Sequence, residues 1–222
     1  MIPRIEIARA EIPGSDEMLR LVQRGQEFSI MLGANELMNS RTSGSEEALA
    51  ERAIAAMLDR PRPRVLIGGL GMGFTLRAAL KRLPRDAEVV VAELVPAVIA
   101  WARGPMAHIF EGSLDDPRVR VEAGDVAVWI AMNGWDAILL DVDNGPDALA
   151  RAENHGLYTR DGLARAKAAL RGGGVLGLWS AGPDERFTGR MKRAGFEVEE
   201  LVERARGGLR GARHVIWLGI KR

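Results

Sequence analysis

Three glycines and a carboxylate, placed after two successive apolar runs, have the types and spacing of a nucleotide-binding site. Gly69, Gly71 and Gly73 directly follow the apolar run 65–67, and Glu93 ends the next apolar run, roughly 20 residues further on. Glycine lets the backbone approach a ligand closely, and the start of a helix offers free N–H groups. A carboxylate at this position accepts hydrogen bonds from ribose hydroxyls. This order of residues indicates a nucleoside ligand.

The spacing of the glycines distinguishes between classes of nucleotide. A dinucleotide-binding turn has glycines at its first, third and sixth positions, but the sixth position counted from Gly69 is Phe74. The observed G-x-G-x-G spacing favours an S-adenosylmethionine-type ligand, which carries no pyrophosphate. A tight strand-to-helix turn without any ligand is the alternative, and the downstream Glu93 weighs against it.

A regular alternation of apolar runs and helical patterns indicates the fold that carries these residues. From residue 64 onwards, five strand-and-helix units precede two closing strands, near residues 196–202 and 214–220. Strands that alternate with helices at this spacing form a parallel sheet with helices on both faces. We therefore predict a Rossmann-like α/β fold with a mostly parallel, seven-stranded sheet and an antiparallel closing pair.

The N-terminal part of the chain has a different pattern. Short apolar segments with a turn at Gly25 predict a meander of strands before the first helix. Ser45 is a candidate N-cap for that helix, and Glu46 in its first turn suits the helix dipole. We expect an N-terminal β-strand appendage over residues 1–44 and a nucleoside-binding catalytic domain over residues 45–222.

Two aspartates follow later strands of the predicted sheet. Asp125 comes after the third core strand and Asp141 after the fourth, and the carboxyl ends of parallel strands meet at one edge, where ligands bind. Asp125 either contacts the ligand or caps the helix that follows it, and both roles can coexist. Asp141 either takes part in the chemistry or caps nearby backbone N–H groups. Trp179 ends the fifth strand at the same edge, where it either packs in the core or borders a pocket.

Composition excludes several classes of function. The 222 residues carry a net charge of +1, and the basic residues are scattered, so no nucleic-acid partner is expected. The chain has no cysteine, and its three histidines do not have ligand spacing, so no metal site is expected. No apolar run reaches the roughly 20 residues of a membrane span, and the first residues do not have the pattern of a signal peptide. We therefore expect a cytoplasmic protein with no membrane partner.

Five segments, in the right order, resemble the spermidine/spermine synthase family, within the larger class of adenosylmethionine-dependent methyltransferase folds. The resemblance runs from about residue 35 to 180. The segments that carry it are VLIGGLGMGFTLRAALK, VVVAEL, PRVRVEAGDVAVWI, WDAILLDVDNGP and LYTRDGLARAKAALRGGGVL. This resemblance implies a class I methyltransferase-type sheet and a small-molecule transferase.

The resemblance also implies which residues bind the donor, which would be S-adenosylmethionine or its decarboxylated form. The glycines would line the methionine-like part of the donor, Glu93 would hold the ribose hydroxyls, and Asp125 would contact the adenine amino group. Asn39 stands where the family has a glutamine before the first helix. The residues implied for donor binding are Asn39, Gly69, Gly71, Gly73, Glu93 and Asp125.

Asp141 matches the family's catalytic-loop aspartate. The resemblance implies that it takes a proton from the amine that attacks the donor, since an ammonium has no lone pair with which to attack carbon. An amine acceptor is the second small-molecule partner implied in this way, and the family's dimers imply a homodimer.

Three departures from the family pattern concern the donor and acceptor sites. Met72 occupies the position at which the family has an aspartate that is expected to recognise the amine of an aminopropyl donor. Asn144 aligns with the second aspartate of the catalytic loop when the loops are aligned without a gap, and Asp143 takes that place only with a shift. The family's aromatic pair before the first helix, which contacts the polyamine, is replaced by Ser45-Glu46-Glu47-Ala48.

The sequence therefore supports a spermidine synthase-like transferase that moves an alkyl group, such as aminopropyl, to an amine acceptor. Two alternatives remain at this point. One is an S-adenosylmethionine-dependent methyltransferase with an unknown acceptor. The other is a homologue that keeps the nucleoside site but has lost catalysis, which the departures at Met72 and Asn144 make credible.

Overall fold

Two β-sheets organise the chain, which a computed structural model describes over residues 2–142, 155–205 and 211–222. The first is a four-stranded antiparallel sheet near the N-terminus, and the second is a seven-stranded, mostly parallel sheet. The apolar face of the small sheet belongs to the same buried cluster as one face of the large sheet. The predicted fold class is confirmed.

The small sheet is a meander in which each strand pairs with the next in chain order. Its inward side chains, such as Leu19 and Leu21 on one strand and Ile30 on the next, alternate with residues that are more exposed, as expected for an antiparallel sheet with one covered face. Gly25 forms the second hairpin turn with φ of 62°, a backbone angle that favours glycine. The strands are β1 (Ile5–Glu11), β2 (Met18–Arg24), β3 (Glu27–Leu32) and β4 (Asn35–Asn39).

The large sheet has the strand order β10-β11-β9-β8-β5-β6-β7. The five strands from β9 to β7 in this order are parallel, and β11 and β10 continue the sheet through antiparallel pairs on the other side, as the sequence predicts. The strands are β5 (Arg64–Gly68), β6 (Glu88–Glu93), β7 (Val119–Ala123), β8 (Trp135–Leu140), β9 (Leu170–Ser180), β10 (Glu197–Arg204) and β11 (Arg213–Ile220).

Helices cover both faces of the large sheet. Val65 and Ile67 of β5 belong to one buried cluster and Leu66 to the other, so both faces of the strand are dry and its sequence is a continuous apolar run. The helices are α1 (Gly44–Ala56), α2 (Phe74–Arg82), α3 (Pro96–Arg103), α4 (Ala107–Phe110), α5 (Val126–Ile130), α6 (His155–Tyr158), α7 (Arg160–Ala169) and α8 (Phe187–Arg193), with a 3₁₀ turn at Ser113–Asp115.

The start of α1 differs from the sequence prediction. The helix begins at Gly44 and Ser43 precedes it, so Ser45 lies inside the first turn and is not the N-cap. The backbone N–H of Gly44 donates to the carbonyl of Ala205, 2.9 Å away, which ties the start of the helix to the end of β10. Ser43 makes no side-chain capping hydrogen bond, so a long-range backbone bond, and not a side-chain cap, contacts the start of this helix. The predicted domain boundary between residues 44 and 45 stays a prediction.

Candidate active site

A cavity of about 950 Å³, including its open mouth, lies between the two sheets at the carboxyl edge of the parallel strands. The small sheet and the segments next to it contribute only apolar side chains. The large sheet contributes glycines, three carboxylates and several apolar residues. The lining residues are Ile12, Leu19, Ile30, Leu32, Leu37, Met38, Gly69, Gly71, Ala92, Glu93, Leu94, Val95, Val98, Gly124, Asp125, Val126, Asp141 and Val142.

The glycine-rich turn is shaped by two very close approaches. Gly69 has φ of 88°, and a Cβ added there would lie 2.3 Å from the backbone oxygen of Asp141. Gly73 has φ of 77°, and its Cβ would lie 2.4 Å from the ring of Phe110. Only glycine fits either position. Both glycines are therefore required by the fold itself, and Gly69 also lines the cavity.

The carboxylate of Glu93 is fixed by the backbone of the turn opposite. Its Oε2 accepts from the N–H of Leu70 at 2.9 Å, and its Oε1 accepts from the N–H of Val95 at 2.8 Å. The residue is buried at 8% exposure. Both carboxylate oxygens are thus held by backbone N–H groups at the wall of the cavity. The structure thus supplies a rigid acceptor at the expected distance along the chain from the glycines.

Asp125 is exposed and lies at the start of α5. Its Oδ1 accepts from the N–H of Ala127 at 2.8 Å, which makes it the N-cap of that helix. The same residue also lines the cavity. Capping uses one of its carboxylate oxygens. The sequence prediction that Asp125 caps the helix that follows it is confirmed. Its contact with an adenine amino group stays a prediction.

Asp141 follows the last residue of β8 and is partly buried. The Thr75 hydroxyl at the start of α2 donates to its Oδ2 at 2.6 Å. Burial and, to a smaller extent, the negative charge of Glu46 raise the pKa of Asp141 to about 7, while the hydrogen bond from Thr75 acts to lower it. A carboxylate with a pKa near neutrality is suited to general-base catalysis, because it is both ionised and basic at working pH.

A second polar group lies next to Asp141, and the sequence did not reveal it. Burial raises the pKa of Glu46, whose Oε2 accepts from the Ser45 hydroxyl at 2.6 Å. The same hydroxyl lies 2.8 Å from Nδ1 of His214. The imidazole packs edge-on against Trp179, with 4.7 Å between ring centroids. The only available signal was the acidic first turn of α1, which has an ordinary explanation in the helix dipole.

Five of the seven residues expected at the site line the cavity: Gly69, Gly71, Glu93, Asp125 and Asp141. Gly73 and Asn39 are not among its lining residues. The Asn39 amide donates to Glu36, and its oxygen accepts from the N–H of Arg41, so its side chain is engaged within its own loop. Asn144, where the sequence departs from the family pattern, lies outside the described residues.

The described part of the chain contains no group of three or more histidine, aspartate and glutamate side chains placed to hold a metal ion. Within the same residues, every helix is too short or too polar to cross a membrane.

Comparisons with known proteins point to one group of enzymes. The chain is 32% identical over 155 residues to a polyamine aminopropyltransferase of Mycobacterium tuberculosis, a match that covers 64% of this chain and 28% of that protein. It is 34% identical over 198 residues to polyamine aminopropyltransferase 1 of Hyperthermus butylicus, with 85% of this chain and 64% of that protein covered. The chain therefore spans less than two thirds of the length of either relative. No protein-family model matches it.

Similarity to a solved structure supports the same conclusion about the fold. The crystal structure of spermidine synthase from Thermotoga maritima superposes with a TM-score of 0.76 at 18% identity, over 98% of this chain and 72% of that one.

Proposed function

We propose that this chain transfers an aminopropyl group from decarboxylated S-adenosylmethionine to an amine. The starting point is that the chain belongs to a spermidine synthase-like family. The donor would lie in the cavity between the two sheets. The acceptor would approach from the side of Asp141, which lies at the cavity wall.

The charge of the cavity is the observation that carries this proposal. Among its described lining residues, Glu93, Asp125 and Asp141 are charged, and all three are acidic. A sulfonium nucleoside is positively charged and is favoured by such a site, most of all near the buried Glu93 and the partly buried Asp141, because opposite charges attract more strongly where water is displaced. The carboxylate of intact S-adenosylmethionine would have no cationic partner among these residues. The decarboxylated donor is therefore the better match.

Glu93 and the glycine-rich turn would position the nucleoside. The Glu93 carboxylate, held in place by two backbone N–H groups, would accept hydrogen bonds from the ribose hydroxyls. Asp125 would accept from the adenine amino group while it caps α5. A ligand fixed at both ends of its nucleoside presents its sulfonium carbon in one orientation, and orientation supplies much of the rate in a displacement of this kind.

Asp141 would act as the general base. Its carboxylate accepts a proton from the ammonium form of the acceptor, which leaves a lone pair on nitrogen. That nitrogen forms a bond to the methylene carbon of the aminopropyl chain that is attached to sulfur. The bond between this carbon and sulfur breaks, and its electrons pass to sulfur. The products are a neutral thioether nucleoside, a secondary ammonium and protonated Asp141. The aspartate then returns its proton to solvent.

Titration calorimetry on the purified protein tests the proposal. Decarboxylated S-adenosylmethionine, S-adenosylmethionine and methylthioadenosine are titrated side by side, and turnover is then assayed with a series of linear amines. We expect the decarboxylated donor to bind more tightly than S-adenosylmethionine and to be consumed only when an amine is present.

Other outcomes lead to different conclusions. Tighter binding of S-adenosylmethionine would favour a methyltransferase. Binding without turnover for any amine would favour a homologue that retains only the nucleoside site. If none of the three ligands bound, the nucleoside site itself would be refuted.

A further inference from the structure

Thr75 is a buried polar residue next to Asp141 that the proposed reaction does not use. It is the second residue of α2 and is 3% exposed. Its hydroxyl oxygen lies 2.6 Å from Oδ2 of Asp141, which follows β8, and 3.3 Å from the backbone carbonyl oxygen of Glu46 in α1. Two helices and the end of a strand therefore meet at one hydroxyl group.

The Thr75 hydroxyl has one proton and two acceptors within reach. A hydroxyl donates once and accepts through its oxygen, so it cannot donate to both partners at the same time. When Asp141 is ionised, the proton belongs to the shorter contact, because a hydrogen bond to a charged acceptor is the stronger one. The carbonyl of Glu46 is then an alternative acceptor for the same proton.

The alternative acceptor becomes useful when Asp141 is protonated. The pKa of Asp141 is raised to about 7, so both forms are populated near neutral pH, and the proposed reaction forms the neutral acid once in every turnover. With a proton on Oδ2, the acid donates to the Thr75 oxygen, and the hydroxyl proton turns to the carbonyl of Glu46. The contact between Thr75 and Asp141 is thus kept in both forms, and every group in it stays hydrogen-bonded, as burial requires.

The glycine-rich turn places Thr75 in this position. Gly73 precedes α2 with φ of 77°, and Thr75 follows it in the first turn of the helix. On the other side, the backbone N–H of Asp141 donates to the carbonyl of Gly68 at 2.9 Å. The backbones that carry the hydroxyl and the carboxylate are therefore both held by the same turn and strand.

We infer that Thr75 is a positioning residue of the general base, whose hydroxyl fixes the orientation of the Asp141 carboxylate in both of its protonation states. With Oδ2 held, the carboxylate cannot turn freely about its Cβ–Cγ bond, so the direction of Oδ1 is fixed as well. Asp141 lines the cavity, and its orientation sets the direction from which a proton can be taken. Fixed orientation of a reacting group contributes directly to rate.

The hydroxyl also opposes the groups that favour the protonated acid. Burial and the charge of Glu46 on α1 raise the pKa of Asp141, whereas the hydrogen bond from the hydroxyl lowers it. Glu47 on α1 acts in turn to raise the pKa of Glu46. On β11, burial lowers the pKa of His214, and on α6 the hydroxyl of Tyr158 donates to the carbonyl of the residue after Asp141.

The test compares Thr75→Val, which keeps the shape and removes the hydroxyl, with Thr75→Ser, which keeps the hydroxyl. Thr188→Val is the matched control, because the hydroxyl of Thr188 on α8 also donates to a carboxylate, that of Glu200 on β10. Titration of the aspartate carboxyl carbons by NMR, in ligand-free protein, measures the protonation of Asp141, whose signal is the one lost in Asp141→Asn. The second measurement is kcat against pH, with decarboxylated S-adenosylmethionine and a linear amine at saturation.

We expect Thr75→Val to raise the midpoint of the Asp141 titration by about one pH unit, the difference between a hydrogen bond to an ionised and to a neutral acceptor. The acidic limb of the kcat profile should move by the same amount. Well above both midpoints, kcat should still be about 10-fold lower, because the carboxylate is ionised but no longer held in place. Thr75→Ser and Thr188→Val should match the wild type in both measurements.

Each part of the inference can be overturned. An unchanged midpoint in Thr75→Val would show that the hydroxyl does not act on the base. A rise of about two pH units or more would show that it bonds the ionised form alone, which would overturn the second position of its proton. A wild-type value of kcat above both midpoints would overturn the positioning role, since a bond that only supports the fold leaves that rate unchanged. Should Thr75→Val not fold, Thr75→Ala decides by the same criteria.

The inference rests on the proposed function, but the two can fail separately. The NMR titration uses protein without ligands, so it measures the action of Thr75 on Asp141 in the absence of turnover. A wild type that turns over no amine counts against the proposed function, and the shift of the midpoint in Thr75→Val then decides the role of Thr75 by itself.

Discussion

The two walls of the cavity are built by different sheets and differ in almost every physical property. The wall from the large sheet presents carboxylates whose positions are set by backbone N–H groups and by a turn that only glycine can form. The wall from the small sheet presents apolar side chains such as Leu19 and Ile30, held by packing alone. One wall can recognise and react with a ligand, and the other can exclude water from it.

The contrast predicts how each wall responds to mutation. A carboxylate held by two specific bonds loses its function when a single atom changes, because a buried donor left without an acceptor is costly. An apolar wall contributes through area, so one shortened side chain removes only its share. Changes on the large-sheet side should therefore have large and specific effects, and changes on the small-sheet side should be small and graded.

The largest effect is expected for Asp141→Asn. The amide cannot take a proton, so turnover should fall by about 10²- to 10⁴-fold, the usual contribution of a general base. Donor affinity should fall far less than turnover, because Glu93 and Asp125 still hold the nucleoside and keep two of the three carboxylates of the cavity. Steady-state kinetics and calorimetry measure the two quantities. Thr75→Ala is a useful companion, since it removes the hydrogen bond to Asp141 and leaves the carboxylate in place. Equal turnover in Asp141→Asn and wild type would refute the assignment of the base.

A pH profile gives the next largest effect. The proton-accepting form of Asp141 is the ionised one, and its pKa is raised to about 7, so turnover should be lost as the pH falls through 7. With substrates saturating, the rate should fall about tenfold per pH unit below that point and level off above it. Because Asp141 and Glu46 interact, the apparent pKa belongs to the pair.

The variant Glu46→Gln sharpens this prediction. Removing the neighbouring negative charge should move the acidic limb of the profile to lower pH, since a like charge favours the protonated form. An acidic limb at the same pH in both proteins would show that Glu46 does not act on Asp141.

These residues also show what the sequence could and could not reveal. The fold was predictable because β5 and its neighbours are continuous apolar runs, and the order of strands and helices leaves few possible topologies. Glu93, Asp125 and Asp141 were predictable because each follows a parallel strand, so topology alone brings them to one edge. The glycines at 69 and 71 were found in the same way.

Other parts of the site depend on contacts that no local pattern encodes. His214 reaches Ser45 across 169 positions of sequence, and neither residue type at its position is unusual. The prediction that Ser45 caps α1 was wrong, since the helix begins one residue earlier, at Gly44, whose N–H bonds to Ala205, also far away in the chain. The apolar wall was not foreseen either, because periodicity shows which side chains of a strand are buried and not which surface they cover.

Glu93→Gln should have an intermediate effect. The amide offers one accepting oxygen and places a donor against the N–H of Leu70 or Val95, so one buried N–H loses its partner. We expect about 1–3 kcal/mol of lost folding free energy and roughly 10- to 100-fold weaker nucleoside binding. Denaturant titration and calorimetry measure these. Glu88→Gln, at the exposed opposite end of β6, is the control: it weakens only an exposed ion pair with Arg64, so it should cost at most about 1 kcal/mol of stability and leave nucleoside binding unchanged. A Glu93 variant that behaved like the Glu88 control would remove the ribose-binding role.

The smallest effect is expected on the apolar wall, for Met38→Ala. Met38 lines the cavity opposite the glycine-rich turn, with its sulfur 3.1 Å from the place where a Cβ on Gly71 would lie. Shortening it removes part of one side chain's apolar contact, so nucleoside affinity should fall by only about threefold to tenfold. Turnover at saturation should not change, because Met38 touches no group that moves a proton. Met18→Ala, on β2 of the same sheet but 40% exposed, is the control and should leave affinity unaltered. A loss of turnover in Met38→Ala comparable to that in Asp141→Asn would contradict the distinction between the two walls. It would mean that the small sheet orients the reacting groups as well as covering them.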